Sequence, residues 1–352
     1  MGNRPSSAGA PAPPAGPGGA DRGPAPVVLV GCGRIVELGH LPALGASPEF
    51  AVRGLVDPSP ARRDTVTQRF RLPDDAHTYG HLTESLARDA IVVVACPSEV
   101  RLEVLDVALP VARAVVVEKP LALDGDGAAR VLAAARAADT DLVPVHNWRY
   151  DPSMVALRDL VRHGSLGRLR GLRYIHHMTA PFPGAWPERT LWRAHQRGGC
   201  LTDLGYHAVY VFEEITGQPL DAGQCTVRRS AVGVPDQAQA RWQAGADVSC
   251  DVDLSWSAPA SRFEVHATGT EGDAVLTDDG KLVIRDATRQ RVIAHRAGFP
   301  PAYEAFYRDL ARRLLHPPDY QDAATAVRVS RLLDQALSCA QPETGGEDGC
   351  PQ

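Results

Sequence analysis

Asp203 and His207 stand four residues apart in the segment GGCLTDLGYHAVY, just after a Gly-Gly turn. If Asp203 lies in the first turn of a helix, the two side chains share one helix face. Imidazole suits proton transfer because its unperturbed pKa, about 6.5, lies near the operating pH of most enzymes. The spacing therefore fits an acid-base pair, although it also fits an ordinary pair on a helix face.

A third group that could do chemistry is the amine of Lys119, which follows the apolar run AVVVE and precedes Pro120. In doubly wound folds the carboxyl ends of the parallel strands carry the chemistry. An ammonium group there can stabilise the alkoxide that forms when a hydride leaves a secondary alcohol. The alternative is a surface ion pair between Lys119 and Glu118, which would contribute little.

A candidate cofactor site follows the first apolar run, in VVLVGCGRIVELGHLPAL. Gly31 and Gly33 predict a tight turn between a strand and a helix, where backbone N–H groups can approach a pyrophosphate. Arg34 and Ile35 continue this turn into the helix. The third position of the fingerprint, usually Gly or Ala, is Val36, so we expect the helix to sit slightly farther from the strand.

Asp57 ends the second apolar run, 24 residues after Gly33. An acid at this point can accept hydrogen bonds from both hydroxyls of an adenosine ribose, which favours NAD, with NADP as the alternative. We expect Arg62 and Arg63 to lie inside the following helix rather than beside Asp57. A turn or cap role for Asp57 before Pro58 is the other interpretation.

The elements that must position these residues fall into two groups. Continuous apolar runs separated by helical stretches predict an α/β Rossmann domain, with a doubly wound parallel sheet covered on both faces. After His146, shorter runs alternate with period two and predict an α+β domain with a large, mostly antiparallel, open-faced sheet. The predicted divisions are a disordered tail (1–26), the Rossmann domain (27–147), a substrate-binding and oligomerisation domain (148–340) and a flexible tail (341–352).

Composition limits the partners. The chain has 352 residues, enough for two cores, and its net charge of -5 leaves no surplus of basic residues for a nucleic acid. Its 7 cysteines lie far apart, which predicts neither a metal site nor a disulfide framework and favours the cytoplasm. No apolar run approaches the roughly 20 residues that span a bilayer, so we expect no membrane partner.

Four segments resemble the Gfo/Idh/MocA family (glucose-fructose oxidoreductase, inositol dehydrogenase and relatives). They are GCGRIVELGHLPAL with Asp57, ACPSEV, VVVEKPLAL and GGCLTDLGYHAVY. The resemblance covers roughly residues 27–340 and implies NAD or NADP in the first domain and a sugar, cyclitol or related polyol against the second. It also implies that Lys119 reaches the reacting hydroxyl or carbonyl, that His207 exchanges a proton with that oxygen, and that Asp203 binds substrate and tunes the pair.

The resemblance implies further contacts. Cys96 and Pro97 belong to a loop on the nicotinamide side, and Glu118 and Asn147 are expected to contact the cofactor. Arg101 stands where relatives commonly carry a histidine, which is a departure from the family pattern. A set at the domain junction and before the Gly-Gly turn is expected to contact substrate: Arg149, Tyr150, Trp192 and Arg193. Relatives commonly pair through the open sheet, so a homodimer or homotetramer is expected.

The sequence thus predicts a dehydrogenase or ketoreductase that moves a hydride between nicotinamide and a secondary hydroxyl or keto group of a sugar, aminosugar or cyclitol. A redox-neutral enzyme, such as an epimerase or a glycoside-cleaving enzyme, and a catalytically silent sugar or NAD sensor are the alternatives. Net NADH formation separates the first two. The joint presence of Lys119, Asp203 and His207 argues against the sensor, although a fold alone does not prove activity.

Overall fold

In a computed structural model of the chain, the first strand begins at Ala25, two residues before the predicted domain boundary. Ala25 and Pro26, which were predicted to belong to a disordered tail, are thus part of a strand, while residues 1–22 lie outside the described part, as does nearly all of the predicted C-terminal tail. The structure describes residues 23–70, 72, 76–179, 198–230, 233–296 and 298–342.

The first sheet is parallel throughout and contains β1 (Ala25–Val30), β2 (Phe50–Val56), β3 (His77–Tyr79), β4 (Ile91–Val94), β5 (Ala114–Glu118) and β6 (Asp141–Val145). Its strand order is β3-β2-β1-β4-β5-β6. Every residue of β4 and β5 is buried, as expected for apolar strands covered on both faces. The order reverses between β1 and β4, where doubly wound sheets bind their ligands. The predicted Rossmann sheet is confirmed.

Helices cover both faces of this sheet. A π-helical turn (Val36–His40) runs into α1 (Leu41–Gly45), followed by α2 (Pro60–Phe70), α3 (Glu84–Ala87), α4 (Ser98–Ala108) and α5 (Gly125–Ala137). Thr83 caps α3 and Asp124 caps α5, each through a side-chain oxygen that accepts a backbone N–H of the first turn.

The second sheet contains β7 (Leu169–His177), β8 (Leu220–Arg229), β9 (Pro235–Ala244), β10 (Val248–Ser255), β11 (Arg262–Gly269), β12 (Gly272–Thr277), β13 (Lys281–Asp286), β14 (Gln290–Ala294) and the two-residue β15 (Gln341–Pro342). Its order is β14-β13-β12-β11-β7-β10-β9-β8-β15, and neighbours are antiparallel except β7 with β10 and β8 with β15. Burial alternates along β9 and β13, so one face is covered and the other is open. This confirms the predicted sheet.

The helices of the second half are a 3-10 turn (Asn147–Tyr150), α6 (Pro152–Arg162), α7 (Gly199–Thr216), α8 (Phe299–Arg313) and α9 (Gln321–Ser338). Helices α6, α7 and α9 pack against the covered face of the second sheet. Helix α7 is buried nearly all round, since all of its residues except Thr202, Glu214 and Thr216 are buried, including the polar Asp203 and His207. It is thus held from all sides.

Helix α8 does not follow the predicted domain division. Its side chains Tyr303 and Phe306 pack in one core with Val27 and Leu29 of β1. The close approach requires glycine at position 39, because a Cβ there would lie 2.8 Å from the Tyr303 ring. The range assigned to the second domain therefore includes a helix that completes the first.

Candidate active site

The turn after β1 holds Gly31 and Gly33 at the switch point of the first sheet. Gly31 has a φ of 99°, and a Cβ on it would lie 2.8 Å from the carbonyl oxygen of Ala95, so glycine is required. A Cβ on Gly33 would meet no atom within 4 Å. The exposed Arg34 and the half-buried Ile35 follow at the start of the helix. This open turn before a helix has the form that a dinucleotide pyrophosphate needs.

The carboxylate of Asp57 fixes the same turn. Its Oδ2 accepts a hydrogen bond from the N–H of Cys32 at 2.8 Å, and its Oδ1 accepts one from the N–H of Ser59 at 2.9 Å. A carboxylate has about four lone-pair sites, so each oxygen can also accept a ribose hydroxyl. The turn role and the ribose role that the sequence left as alternatives are therefore compatible.

The prediction that Arg62 and Arg63 do not lie beside Asp57 is wrong for Arg63. Both belong to α2, as expected, but their long side chains reach back to the strand ends. Arg63 donates to the backbone carbonyl of Asp57, and Arg62 donates to the backbone carbonyl of Cys32. Arg62 also lies 3.1 Å from a carboxylate oxygen of Glu37. Two cations thus border the expected adenosine end of the site, and an acid offsets part of their charge.

Val36, the unusual third position of the fingerprint, is fully buried and begins the π-helical turn. The departure from the family pattern at Val36 therefore lies where the helix begins with a π-helical turn, which is wider than an α-helical turn. The same turn buries His40, whose Nδ1 lies 2.7 Å from the Tyr307 hydroxyl and whose Nε2 lies 3.1 Å from Oε1 of Glu118. The start of the first helix is thus tied to the end of β5.

The carboxylate of Glu118 is a buried anchor. It accepts hydrogen bonds from His40 and from the Tyr303 hydroxyl. Burial alone would raise the pKa of Glu118, but these two hydrogen bonds and the charge of Lys119 outweigh it and hold the pKa below its usual value. These contacts occupy the carboxylate of Glu118, which was predicted to touch the cofactor. They attach the end of β5 to α8.

Lys119 meets Asp203 where the two halves of the chain join. The Lys119 Nζ lies 2.7 Å from Oδ1 of Asp203 and 2.9 Å from its backbone oxygen. The side chains of Lys119 and Asp203 are 15% and 4% exposed, so this is not the predicted alternative of a surface pair with Glu118. Asp203 is the fifth residue of α7 and begins its second turn rather than lying in its first. A charged donor is thus held at the carboxyl edge of the first sheet.

His207 lies one turn further along α7 and is buried. Its Nδ1 lies 2.9 Å from the hydroxyl of Tyr210. That hydroxyl accepts the N–H of Trp148 at 3.1 Å and donates to Oδ1 of Asn147 at 3.3 Å. Tyr210 therefore orients the imidazole, and Asn147 reaches the candidate base through it.

The imidazole of His207 is held in its neutral form. Burial lowers the pKa of His207 well below its usual value, the charge of Lys119 lowers it further, and Asp203 opposes this effect. His146 behaves similarly, because burial lowers its pKa to about 3, and its Nε2 lies 3.2 Å from the Tyr206 hydroxyl. A neutral imidazole is the form that can accept a proton.

Cys96 and Pro97 lie in the loop between β4 and α4, as expected. Arg101 is buried, and its guanidinium donates to the backbone carbonyls of Cys96 and Glu118, both at 2.7 Å, and of Pro120. Both terminal nitrogens of the guanidinium that replaces the usual histidine are therefore engaged, whereas its buried Nε has no hydrogen-bond partner among the described residues. Arg101 joins the loop after β4 to the loop that carries Lys119.

Two residues predicted to contact substrate are engaged elsewhere. The guanidinium of Arg149 donates to Glu214 at 2.7 Å and also pairs with Asp322. The Tyr150 hydroxyl donates to Asp309 at 3.0 Å. Arg149 and Tyr150 line a separate cleft of about 640 Å³. The prediction used the position of these residues at the domain junction. In the structure, their N–H and O–H groups donate to carboxylates of helices that come later in the chain.

Trp192 and Arg193, which were predicted to contact substrate, lie outside the described residues. Within the part that the structure describes, no group of His, Cys, Asp or Glu side chains could hold a metal ion. A search of the same residues finds no helix with the length and apolarity needed to cross a membrane. The cytoplasmic location stays a prediction.

Sequence reasoning missed Tyr210 and His40. Tyr210 follows His207 by three positions, and residues three apart share a helix face just as residues four apart do, such as Asp203 and His207, so the signal was present. His40 has no such signal, because its partner Tyr307 is 267 residues away along the chain.

The fold and the site identify the class of protein. Residues 26–146 match a family model described as "Oxidoreductase family, NAD-binding Rossmann fold", and residues 154–275 match one described as "GFO/IDH/MocA C-terminal domain". The chain belongs to the GFO/IDH/MocA family, as the resemblance predicted. It is an oxidoreductase with an NAD-binding first domain.

Individual relatives are distant. The "Putative UDP-kanosamine synthase oxidoreductase subunit" of Amycolatopsis mediterranei is 28% identical over 67% of this chain and 70% of its own. A dTDP-3,4-didehydro-2,6-dideoxy-alpha-D-glucose 3-reductase of Streptomyces violaceoruber is 26% identical over 91% and 89%. Among solved structures, KijD10, a 3-ketoreductase from Actinomadura kijaniata in complex with TDP-benzene and NADP, has a TM-score of 0.79 at 20% identity, covering 91% of this chain and 98% of that one. This likeness shows the fold.

The two glycines of the turn should respond differently to alanine. Gly31→Ala should lower the free energy of unfolding by about 1–3 kcal/mol, because its backbone is in a region that alanine avoids. Gly33→Ala should change it by less than about 0.5 kcal/mol yet weaken NADH binding, since its methyl group enters the open cradle. Urea denaturation and titration of NADH fluorescence measure the two effects. Equal destabilisation by both substitutions would contradict this division of roles.

Proposed function

We propose that this chain transfers a hydride between a nicotinamide cofactor and a secondary hydroxyl or keto carbon of a sugar-like ring. Lys119 and His207 act on the reacting oxygen. The observation that carries the proposal is the 2.7 Å contact between Lys119 and Asp203, which brings the lysine of the first domain onto the helix that bears His207. The carboxyl edge of a doubly wound sheet is where such chemistry is expected.

The rarity of lysine supports the role of Lys119. Of the 37 lysine and arginine residues, two are lysine, Lys119 and Lys281. Arginine is always charged, whereas lysine is compact and can exchange a proton. Lys281 is an exposed residue at the start of β13 and pairs with Asp279. A chain that uses arginine at nearly every basic position therefore keeps an amine where a proton donor is needed.

The division of labour follows from the contacts. When bound, the nicotinamide ring supplies the acceptor or donor of the hydride. Two N–H groups of the Lys119 ammonium are directed to Asp203, which leaves the third for the substrate oxygen. There it stabilises the negative charge that develops on that oxygen. The neutral imidazole of His207 accepts the hydroxyl proton through Nε2, because Nδ1 faces Tyr210. In reduction the proton returns to the substrate oxygen.

The relatives support a sugar linked to a nucleoside diphosphate as the substrate class. The Amycolatopsis relative is named for a UDP-sugar and the Streptomyces relative for a dTDP-sugar. A spectrophotometric screen of nucleotide sugars, free sugars and cyclitols with NAD(H) and NADP(H) tests this. Turnover without net change in NADH would favour the redox-neutral alternative, and binding without turnover would favour the sensor.

Replacing Lys119 or His207 should stop turnover without releasing the cofactor. His207→Ala should lower kcat about 10²–10⁴-fold, the usual worth of general acid-base assistance. Lys119→Ala should lower kcat at least as much, because it also removes a stabilising charge. Both variants should still bind NADH, as measured by its fluorescence. The matched control is Lys281→Ala, which should behave like the wild type.

The pH dependence of turnover tests the role of His207 independently of the substitutions. Since the pKa of His207 is lowered, the wild-type rate of alcohol oxidation should fall only well below pH 6.5, as the imidazole becomes protonated.

Near-normal turnover of both His207→Ala and Lys119→Ala would place the chemistry elsewhere. Joint loss of NADH binding and activity would make the residues structural.

We also propose a preference for NAD, with Asp57 as its cause. Asp57→Ser should shift the ratio of kcat/KM values toward NADP by about tenfold, or about 1.4 kcal/mol. It removes a charge that repels a ribose phosphate and leaves Arg62 and Arg63 close by. Asp64→Ser, which removes the same charge from the exposed side of α2, should leave the ratio unchanged. Equal use of NAD and NADP by the wild type would overturn the preference.

We propose that the chain forms a homodimer or homotetramer through the open face of the second sheet. Three valines, Val275, Val283 and Val292, lie side by side on that face because they are paired in register. Charged pairs lie on the same face, such as Arg241 with Asp251 at 2.6 Å. An apolar strip next to charges of both signs suits a self-complementary contact. Sedimentation equilibrium measures the mass, and a monomer at micromolar concentration would contradict the proposal.

A further inference from the structure

Arg101 is a buried cation whose hydrogen bonds go to the main chain. It lies in α4 with 3% of its surface exposed. One guanidinium nitrogen donates to the backbone carbonyls of Glu118 and Pro120, and the other donates to that of Cys96. The first two acceptors flank Lys119 on both sides. The third belongs to the loop that is expected beside the nicotinamide.

This arrangement needs the shape of arginine. A planar guanidinium presents several N–H donors in a fixed fork, whereas an imidazole has at most two and an ammonium directs its three donors apart. Arg101 therefore spans two loops at the ends of neighbouring strands, β4 and β5, in a way that a histidine could not. The main chain of Lys119, just after β5, cannot shift without breaking these bonds.

We propose that Arg101 is a positioning residue for hydride transfer. It fixes the main chain of Lys119 relative to the Cys96–Pro97 loop, so that the amine and the nicotinamide keep one distance. The inference rests on the proposed role of Lys119. Because misplacement by about 1 Å can cost about 10²-fold in rate, loosening this link should appear in kcat.

A second set of contacts keeps the region folded when Arg101 is replaced. The side chain of Glu118 is held independently by His40 and Tyr303. The end of β5 therefore stays attached to α8 and to the π-helical turn. Loss of Arg101 should free the main chain around Lys119 rather than unfold the sheet.

Kinetics test the proposal with Arg101→Met, Arg101→Lys and a control. Arg101→Met should lower kcat about 10–100-fold, and Arg101→Lys, which restores part of the bonding, should lower it less. The matched control is Arg313→Met, which removes another poorly exposed arginine that pairs with Asp141 and Asp322. It should lose stability in urea but keep kcat within about threefold of the wild type.

The scarcity of lysine permits a readout that needs no substrate. In a Lys281→Arg background, biosynthetic incorporation of ¹³C-lysine labels Lys119 alone, and the Lys119→Arg variant assigns its signal. Saturating NADH should shift the Lys119 signal in this background. In Arg101→Met the shift should shrink by at least half while NADH fluorescence still reports binding. Arg313→Met should leave the shift unchanged.

Each outcome decides between the two proposals. Normal turnover of Lys119→Ala would remove the proposed function and this inference with it. Suppose that Lys119→Ala is inactive, while Arg101→Met has a normal kcat and NADH shifts its Lys119 signal as in the background protein. This result would overturn the positioning role of Arg101 and leave the proposed function in place. An equal fall of kcat in Arg313→Met would also overturn the positioning role, since the effect would then be general. If Arg101→Met does not fold, the same comparisons with Arg101→Lys decide.

Discussion

The buried ion pair between Lys119 and Asp203 is the interaction on which the site depends. Lys119 follows the last residue of β5, and Asp203 belongs to α7, so the pair forms only when the two halves of the chain are packed together. Removing one partner of a buried pair commonly costs about 3–5 kcal/mol, because the other charge stays buried without compensation. The contact that assembles the candidate site thus depends on the packing of the two halves of the chain.

Around this pair, the supports of the site come from places far apart in the chain. Arg101 holds the main chain on either side of Lys119, and His40 and Tyr303 hold the side chain of Glu118. On the other side, Tyr210 orients the imidazole of His207. The groups that would touch substrate are few, and most of the polar contacts serve to keep them in place.

The sequence predicted what depends on local pattern. Valine runs located β4 and β5, and a four-residue spacing located Asp203 and His207 on α7, because strand and helix periods act over neighbouring residues. Prediction from the sequence failed where a side chain contacts residues of elements that are distant along the chain. Position in a helix fixed the backbone of Arg62 but not the reach of its guanidinium, and nothing near Arg149 indicated the carboxylates that bind it.

The place of α8 in the core of the first domain has a consequence for how the protein is made. Tyr303 and Phe306, which are synthesised near the end of the chain, belong to the same core as Val27 and Leu29 of the first strand. Domains usually fold as units while the ribosome is still adding residues. Here part of the core of the first domain is still missing when that domain leaves the ribosome, so we expect its packing to be completed after α8 emerges.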